Sequence, residues 1–183
     1  MKQYTIAYKG LKNGLHDFEF PIDGALFAAY ENEEVHAADC VARVQLNRSE
    51  TQLQLDITIE GEVTVTCDRC LDDCTLPIAC EGELLVKFSN EEHEYDGEVL
   101  WLYPGESEVD LTQYLYESVI LALPYQRVHE EGGCNPEMME RFRIVTEGEF
   151  ADIEARVGRE EADETTNEWQ KLAALKQQME QED

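Results

Sequence analysis

Residues 53–66, LQLDITIEGEVTVT, give the clearest indication of the fold class. Aliphatic residues alternate with polar ones from Leu53 to Glu60, and the alternation resumes after Gly61 and continues to Cys67. A period of two residues is typical of a strand with one buried face and one solvent face. The sequence therefore predicts a half-buried strand that breaks at Gly61, resumes, and ends at a cysteine.

Shorter apolar or alternating runs lie on both sides of this stretch. Further strands are predicted at residues 4–8, 15–20, 41–46, 75–88 and 99–103. The pair Asn13-Gly14 separates the first two runs and predicts a hairpin between them. Helical spacing of apolar residues begins at Asp110 and ends before Pro124. The pattern predicts an α+β fold: a mainly antiparallel, curved or barrel-like sheet with one core helix.

The last part of the chain differs in composition. Residues 1–146 are predicted to form the folded domain, and residues 147–183 an acidic flexible linker followed by a tail helix. Trp169, Leu172 and Leu175 lie roughly on one side of that helix. We expect these three residues either to bind a partner protein or to dock on the chain's own folded domain.

Charge is the unusual property of the composition. The chain has 41 acidic and 14 basic side chains, which gives a formal net charge of -27. Affinity for nucleic acid comes largely from basic side chains that neutralise phosphates, so no strong direct RNA binding is predicted. An acidic surface attracts cationic partners, although the same charge also serves solubility alone.

Neither a signal-type apolar run nor a stretch long enough to span a bilayer is visible in the sequence. The expectation is a cytoplasmic protein without a membrane contact. In a reducing compartment, a Cys-x-x-Cys pair is more often metal-binding or redox-active than a structural disulfide.

Two pairs of soft ligands suggest a metal centre. Cys67 and Cys70 are three residues apart after a predicted strand, and His129 and Cys134 follow the predicted core helix. Three thiolates and one imidazole suit a tetrahedral structural zinc ion. The alternatives are that the cysteines are small buried side chains, or that Cys74 or Cys80 replaces one of the four.

A redox or catalytic interpretation has less support. Cys67 and Cys70 lie among Asp68, Asp72 and Asp73, whose carboxylates are expected to raise the thiol pKa. The sequence contains no Gly-x-Ser-x-Gly motif and no phosphate-binding glycine loop. No catalytic residue is predicted, and the protein is not expected to be an enzyme.

In the order of its motifs, the chain resembles the YceD family, the large ribosomal RNA subunit accumulation proteins. The matching residues are Cys67, Arg69, Cys70 and Leu71, then Asp110-Leu111, Leu121, Leu123 and Pro124, then His129-Glu130 and Cys134, and finally Asn167, Leu172, Leu175 and Lys176. Some members carry additional cysteines after the proline, where this chain has only Cys134. That departure leaves His129 as the replacement ligand.

The resemblance implies a bacterial factor needed for 23S ribosomal RNA synthesis, processing or stability, and so for large-subunit assembly. It implies no known catalytic activity. Together with the charge, it predicts a non-enzymatic factor that contacts a basic ribosomal or ribosome-assembly protein. The alternatives are a metal-dependent RNA-processing enzyme and a direct RNA-binding module; no oligomeric state is predicted.

Overall fold

A computed structural model describes residues 3–91, 93–141 and 148–154 of the chain. The chain divides into two compact units, Met1–Met139 and Glu140–Asp183. In the second unit, residues 148–154 are helical. The predicted tail helix with Trp169, Leu172 and Leu175 lies outside the described residues, and the predicted boundary at residue 146 stays a prediction.

The described residues before position 142 form seven strands and three helices. The strands are β1 (Thr5–Ala7), β2 (Gly14–Asp23), β3 (Val35–Arg48), β4 (Gln52–Thr66), β5 (Asp73–Phe88), β6 (Val99–Leu102) and β7 (Glu108–Asp110). The helices are α1 (Gly24–Ala29), α2 (Thr112–Ala122) and α3 (Pro136–Arg141). This mixture, dominated by strands, confirms the predicted α+β class.

The main sheet has five strands in the order β2-β3-β4-β5-β6. The first four are antiparallel neighbours, which confirms a mainly antiparallel sheet, whereas β6 runs parallel to β5. Of the predicted curved or barrel-like forms, the barrel-like one is wrong, because the sheet of the described residues is open and its outer strands are β2 and β6. The four residues of β6 pair only with Leu85–Phe88, so this strand does not close the sheet by pairing with β2.

The core lies on one face of this sheet. Leu53, Leu55, Ile57 and Ile59 are buried there, as the period-two pattern predicts. Helix α2 contributes its buried side chains Leu115 and Val119, and Leu111 just before it is also buried. The core helix is therefore confirmed close to its predicted position. No helix of the described residues is both long and apolar enough to span a membrane.

Two local predictions are wrong for identifiable reasons. Strand β1 pairs with β7, and β2 pairs with β3, so Asn13-Gly14 does not close a hairpin between the first two strands. Strand β4 also continues through Gly61 without a break. A Cβ at Gly61 would lie 2.3 Å from the carbonyl oxygen of Asp39, so this glycine allows a close approach of two strands.

Candidate metal centre

A tight turn directly after β4 positions the first two cysteines. The N–H of Leu71 donates to the carbonyl of Cys67 at 3.0 Å, and the N–H of Cys67 donates to the carbonyl of Asp72 at 2.9 Å. Leu71 adopts a left-handed conformation with φ of 64°, which turns the chain into β5. The side chains of Cys67 and Cys70 are 0% and 1% exposed, and thus point into the protein.

A second segment, after α2, brings the other two ligand candidates over this turn. The N–H of Asp68 donates to the carbonyl of Arg127 at 2.7 Å, and the N–H of Arg127 donates to Oδ2 of Asp68 at 2.7 Å. This reciprocal pair fixes the segment next to the turn. Beyond it, Gly132 has φ of 82° and bends the loop between His129 and Cys134.

The structure brings the four predicted ligand residues together. One ligand atom from each of Cys67, Cys70, His129 and Cys134, hereafter the Cys3His cluster, lies within 4.8 Å of all the others. The sulfurs of Cys67 and Cys134 are 3.9 Å apart, and Sγ of Cys70 is 3.4 Å from Nδ1 of His129. Tetrahedral zinc with ordinary bond lengths would set these separations at about 3.8 and 3.6 Å. The residues present therefore fit a tetrahedral metal ion.

The orientation of His129 also suits a metal ligand. Its Nε2 lies 3.0 Å from the carbonyl oxygen of Asp73, which can only accept, so Nε2 carries the proton. In the neutral ring, Nδ1 on the side of the sulfurs then has the lone pair that a metal ion would bind. Metal-binding histidines typically donate their second ring N–H to such a carbonyl, which holds the ring in place.

The environment of Cys67 favours its thiolate. Burial opposes ionisation, but hydrogen bonds from the backbone N–H groups of Cys70 and Arg69 outweigh it and lower the pKa of Cys67 to about 6. The N–H of Arg69 lies 3.4 Å from this sulfur. For Cys67, the expectation that neighbouring carboxylates raise the thiol pKa is therefore wrong, because the turn directs its N–H groups at the sulfur. The pKa of Cys134 is raised by burial and by Cys67.

The other three cysteines do not belong to the cluster. Cys74 is buried and packs beside Cys67 and Cys70, but it is not among the four residues whose ligand atoms converge. Burial raises its pKa. Cys40 is buried in the main core, and half-buried Cys80 packs against that core. All six cysteines are free thiols.

Supporting contacts around the cluster were missed by the sequence analysis. Asn135 donates its side-chain amide to the carboxylate of Asp72 at 3.0 Å, and thus ties the loop that carries Cys134 to the turn. Arg127 forms ion pairs with Glu34 at 3.2 Å and with Asp68 at 3.7 Å, so its guanidinium pairs with carboxylates and not with the thiolates. None of these three contacts has a spacing signal in the sequence, because each joins residues far apart in the chain.

The cluster could hold a metal ion such as zinc in a closed site. Four protein ligands fill a tetrahedral shell and leave no position for a water or a substrate, which is the pattern of structural zinc sites. Leu76, Val128 and Met138 pack on the cysteines and limit the access of solvent. A metal ion bound by these four residues would therefore link the end of β4 to the segment that follows α2.

The fold and the cluster together define an α+β protein with a Cys3His centre at one end of an open sheet. The chain belongs to the family described as the large ribosomal RNA subunit accumulation protein YceD, which it matches over residues 55–176. That range includes all four residues of the cluster. Neither the comparison with curated proteins nor the comparison with solved structures gave a match.

Proposed function

We propose that this chain is a non-enzymatic cytoplasmic factor that supports accumulation of 23S ribosomal RNA and assembly of the large subunit. The observation that carries the proposal is the family match over residues 55–176, because the family's description names large-subunit ribosomal RNA accumulation. On this proposal, the Cys3His cluster binds zinc as a structural ion and takes no part in a reaction.

The closed coordination shell supports a non-enzymatic role. A catalytic zinc site keeps a position for water or substrate, whereas the Cys3His cluster supplies a full set of four protein ligands. The thiols of Cys67 and Cys70 are also buried and out of reach of a macromolecular substrate.

The charge of the chain supports action through protein contacts. A net charge of -27 repels the phosphate backbone and speeds encounter with a cationic protein. We propose a basic ribosomal or ribosome-assembly protein as the partner. The residues predicted from the sequence to contact it, Trp169, Leu172 and Leu175, stay a prediction.

Depletion of the protein in its own cells tests this function. We expect the ratio of 23S to 16S ribosomal RNA to fall on depletion and to recover with the wild-type chain. The Cys67→Ser variant should restore the ratio less completely, in proportion to its lower protein level on an immunoblot. An unchanged ratio on depletion would contradict the proposed function.

A further inference from the structure

Among the described residues, one edge of the main sheet is unpaired along most of β5. Strand β6 pairs only with Leu85–Phe88, and Glu98 accepts from the N–H of Leu85 at the point where β6 begins. At the other end, His129 already contacts the carbonyl of Asp73. Between them, no strand of the described residues pairs with residues 75–83. We call these nine positions the open edge.

The backbone groups on the open edge can be assigned by strand geometry. In an antiparallel pair, a residue directs its N–H and C=O to the same side, and successive residues alternate. Because Leu85 directs its N–H away from β4, the odd-numbered residues of the open edge do the same. Thr75, Ala79, Glu81 and Glu83 therefore present a donor and an acceptor, whereas Pro77 presents an acceptor alone.

A groove runs beside this edge, between β5 and α2. Its first part has a volume of about 520 Å³ and includes Gly82, Glu98 and Tyr114. Its second part, about 220 Å³, shares Gly82 and Tyr114 and is lined by the apolar side chains of Ile57, Ile59 and Leu121. Leu121 is 84% exposed, so this side of the groove presents apolar surface to an incoming chain.

The solvent face of the sheet next to this edge is strongly acidic. Strand register places ten exposed carboxylates on that face: Asp17, Glu19, Asp23, Asp39, Asp56, Glu60, Glu62, Asp73, Glu81 and Glu83. The cations of the same four strands on this face are Arg43, which pairs with Glu60 at 2.8 Å, and Lys87, which lies over Trp101.

These charges select which chain can pair with the open edge. Asp56 lies directly opposite Glu83, and like charges in such cross-strand positions are unfavourable. A second copy of this acidic chain would add further carboxylates, so the edge is protected against self-association. A strand with basic residues on the solvent face would instead place them beside Glu81 and Glu83.

We propose that the open edge binds an extended segment of a partner protein as an additional strand, in which basic and apolar residues alternate. The basic side chains lie on the solvent face beside Glu81 and Glu83, and the apolar ones enter the groove beside Ile57, Ile59 and Leu121. Backbone hydrogen bonds supply affinity and the alternation supplies specificity, as in other strand additions. The basic nature of the partner rests on the proposed function; the edge and groove do not.

The test uses the purified full-length chain and synthetic nine-residue probes. A fluorescent peptide of alternating lysine and valine should bind, and a glutamate–valine peptide should not. On binding, the amides of Ala79, Glu81 and Glu83 should gain protection from hydrogen exchange. A second lysine–valine peptide carries N-methyl groups on the amides that would face β5, so the protein itself is unchanged. This peptide should bind at least about fivefold more weakly, because it cannot donate those backbone hydrogen bonds.

Charge variants with a matched control test the specificity. The pair E81K/E83K should weaken binding of the lysine–valine peptide by about tenfold or more. The pair D17K/D39K makes the same change of net charge on strands further from the edge and should change affinity less than about twofold, because salt screens that separation. Equal effects of the two pairs would overturn the proposal.

A single backbone donor can also be removed. Ala79→Pro deletes one edge N–H without a change of charge, as Pro77 already does two residues earlier, whereas Ala79→Ser keeps it. We expect the affinity for the lysine–valine peptide to fall about fivefold in Ala79→Pro and to stay unchanged in Ala79→Ser. Protection from hydrogen exchange at β2 in place of β5, or full affinity of the N-methylated peptide, would overturn the proposal. Either result would do so even if depleted cells showed the expected loss of 23S ribosomal RNA.

Discussion

At the scale of single residues, Cys67 connects the local turn to the candidate metal centre. Its sulfur receives the N–H of Arg69 at 3.4 Å and lies 3.9 Å from the sulfur of Cys134. Backbone donors stabilise a thiolate before any metal is bound, which reduces the cost of bringing three sulfurs together. The turn is therefore built for an anionic ligand, although its side-chain neighbours are acidic.

Replacement of one ligand should remove the metal. We expect Cys67→Ser and Cys134→Ser to reduce bound zinc from about one ion per chain to near zero, because a structural site needs its full shell. The matched control is Cys80→Ser, since Cys80 lies outside the Cys3His cluster. Elemental analysis of the purified chains gives the stoichiometry. Equal zinc in all three variants would exclude the assigned ligands.

Acid should release the metal. Ligands bind in their deprotonated form, so protons compete with zinc. The pKa of Cys67 is lowered to about 6 without metal, and bound zinc favours the thiolate further. We therefore expect the protein to retain zinc at pH 7.5 and to release it with a midpoint below about pH 6. A chromogenic chelator measures the released zinc. Retention that is unaffected down to pH 4 would contradict this account.

At the scale of elements, the alternating pattern of residues 53–66 was a reliable guide because it depends only on one buried face. Strand β4 occupies Gln52–Thr66, and α2 buries the side chains that the helical spacing selects. Strand pairing was less predictable. The Asn13-Gly14 pair is a local signal, but β1 pairs with β7 roughly a hundred residues later.

The site shows the same division between local and long-range information. Cys67 and Cys70 could be predicted as a pair because their spacing alone places both sulfurs on one turn. The role of Asp73, whose carbonyl holds the ring of His129, could not be predicted, because it depends on how the segment after α2 returns to β5. The barrel was wrong for a similar reason: closure depends on how the edge strands pair, which residue alternation does not encode.

The close approach at Gly61 gives a prediction for the sheet. A methyl group there would meet Asp39 and Cys40, so we expect Gly61→Ala to lower the free energy of unfolding by about 1–3 kcal/mol. The control is Gly10→Ala, since nothing lies within 4 Å of a Cβ at Gly10. Urea unfolding of both variants makes the comparison. Equal midpoints would show that the strands separate there at little cost.

At the scale of the whole molecule, charge decides which partners are favourable. The net charge of -27 includes the ten carboxylates on the solvent face of the sheet. Such a surface costs stability through self-repulsion, and a cationic partner would relieve that cost. The charge thus favours recruitment of a basic protein over direct contact with RNA.

The isolated chain should have no appreciable affinity for ribosomal RNA. Binding to a phosphate backbone needs Lys and Arg to release counterions, and the chain has 14 of these against 41 acidic side chains. Filter binding with 23S fragments at about 150 mM salt checks this. Sub-micromolar affinity that weakens steeply with salt would favour the direct RNA-binding alternative.

Isolation of the native complex shows whether a basic protein is the partner of this chain. The tagged full-length chain is recovered from its own cells, treated with ribonuclease and washed with increasing salt. We predict that a basic ribosomal or ribosome-assembly protein stays bound after ribonuclease and dissociates at high salt, since charge attraction is screened. Loss of every such protein on ribonuclease treatment would show that the association runs through RNA and would contradict the account.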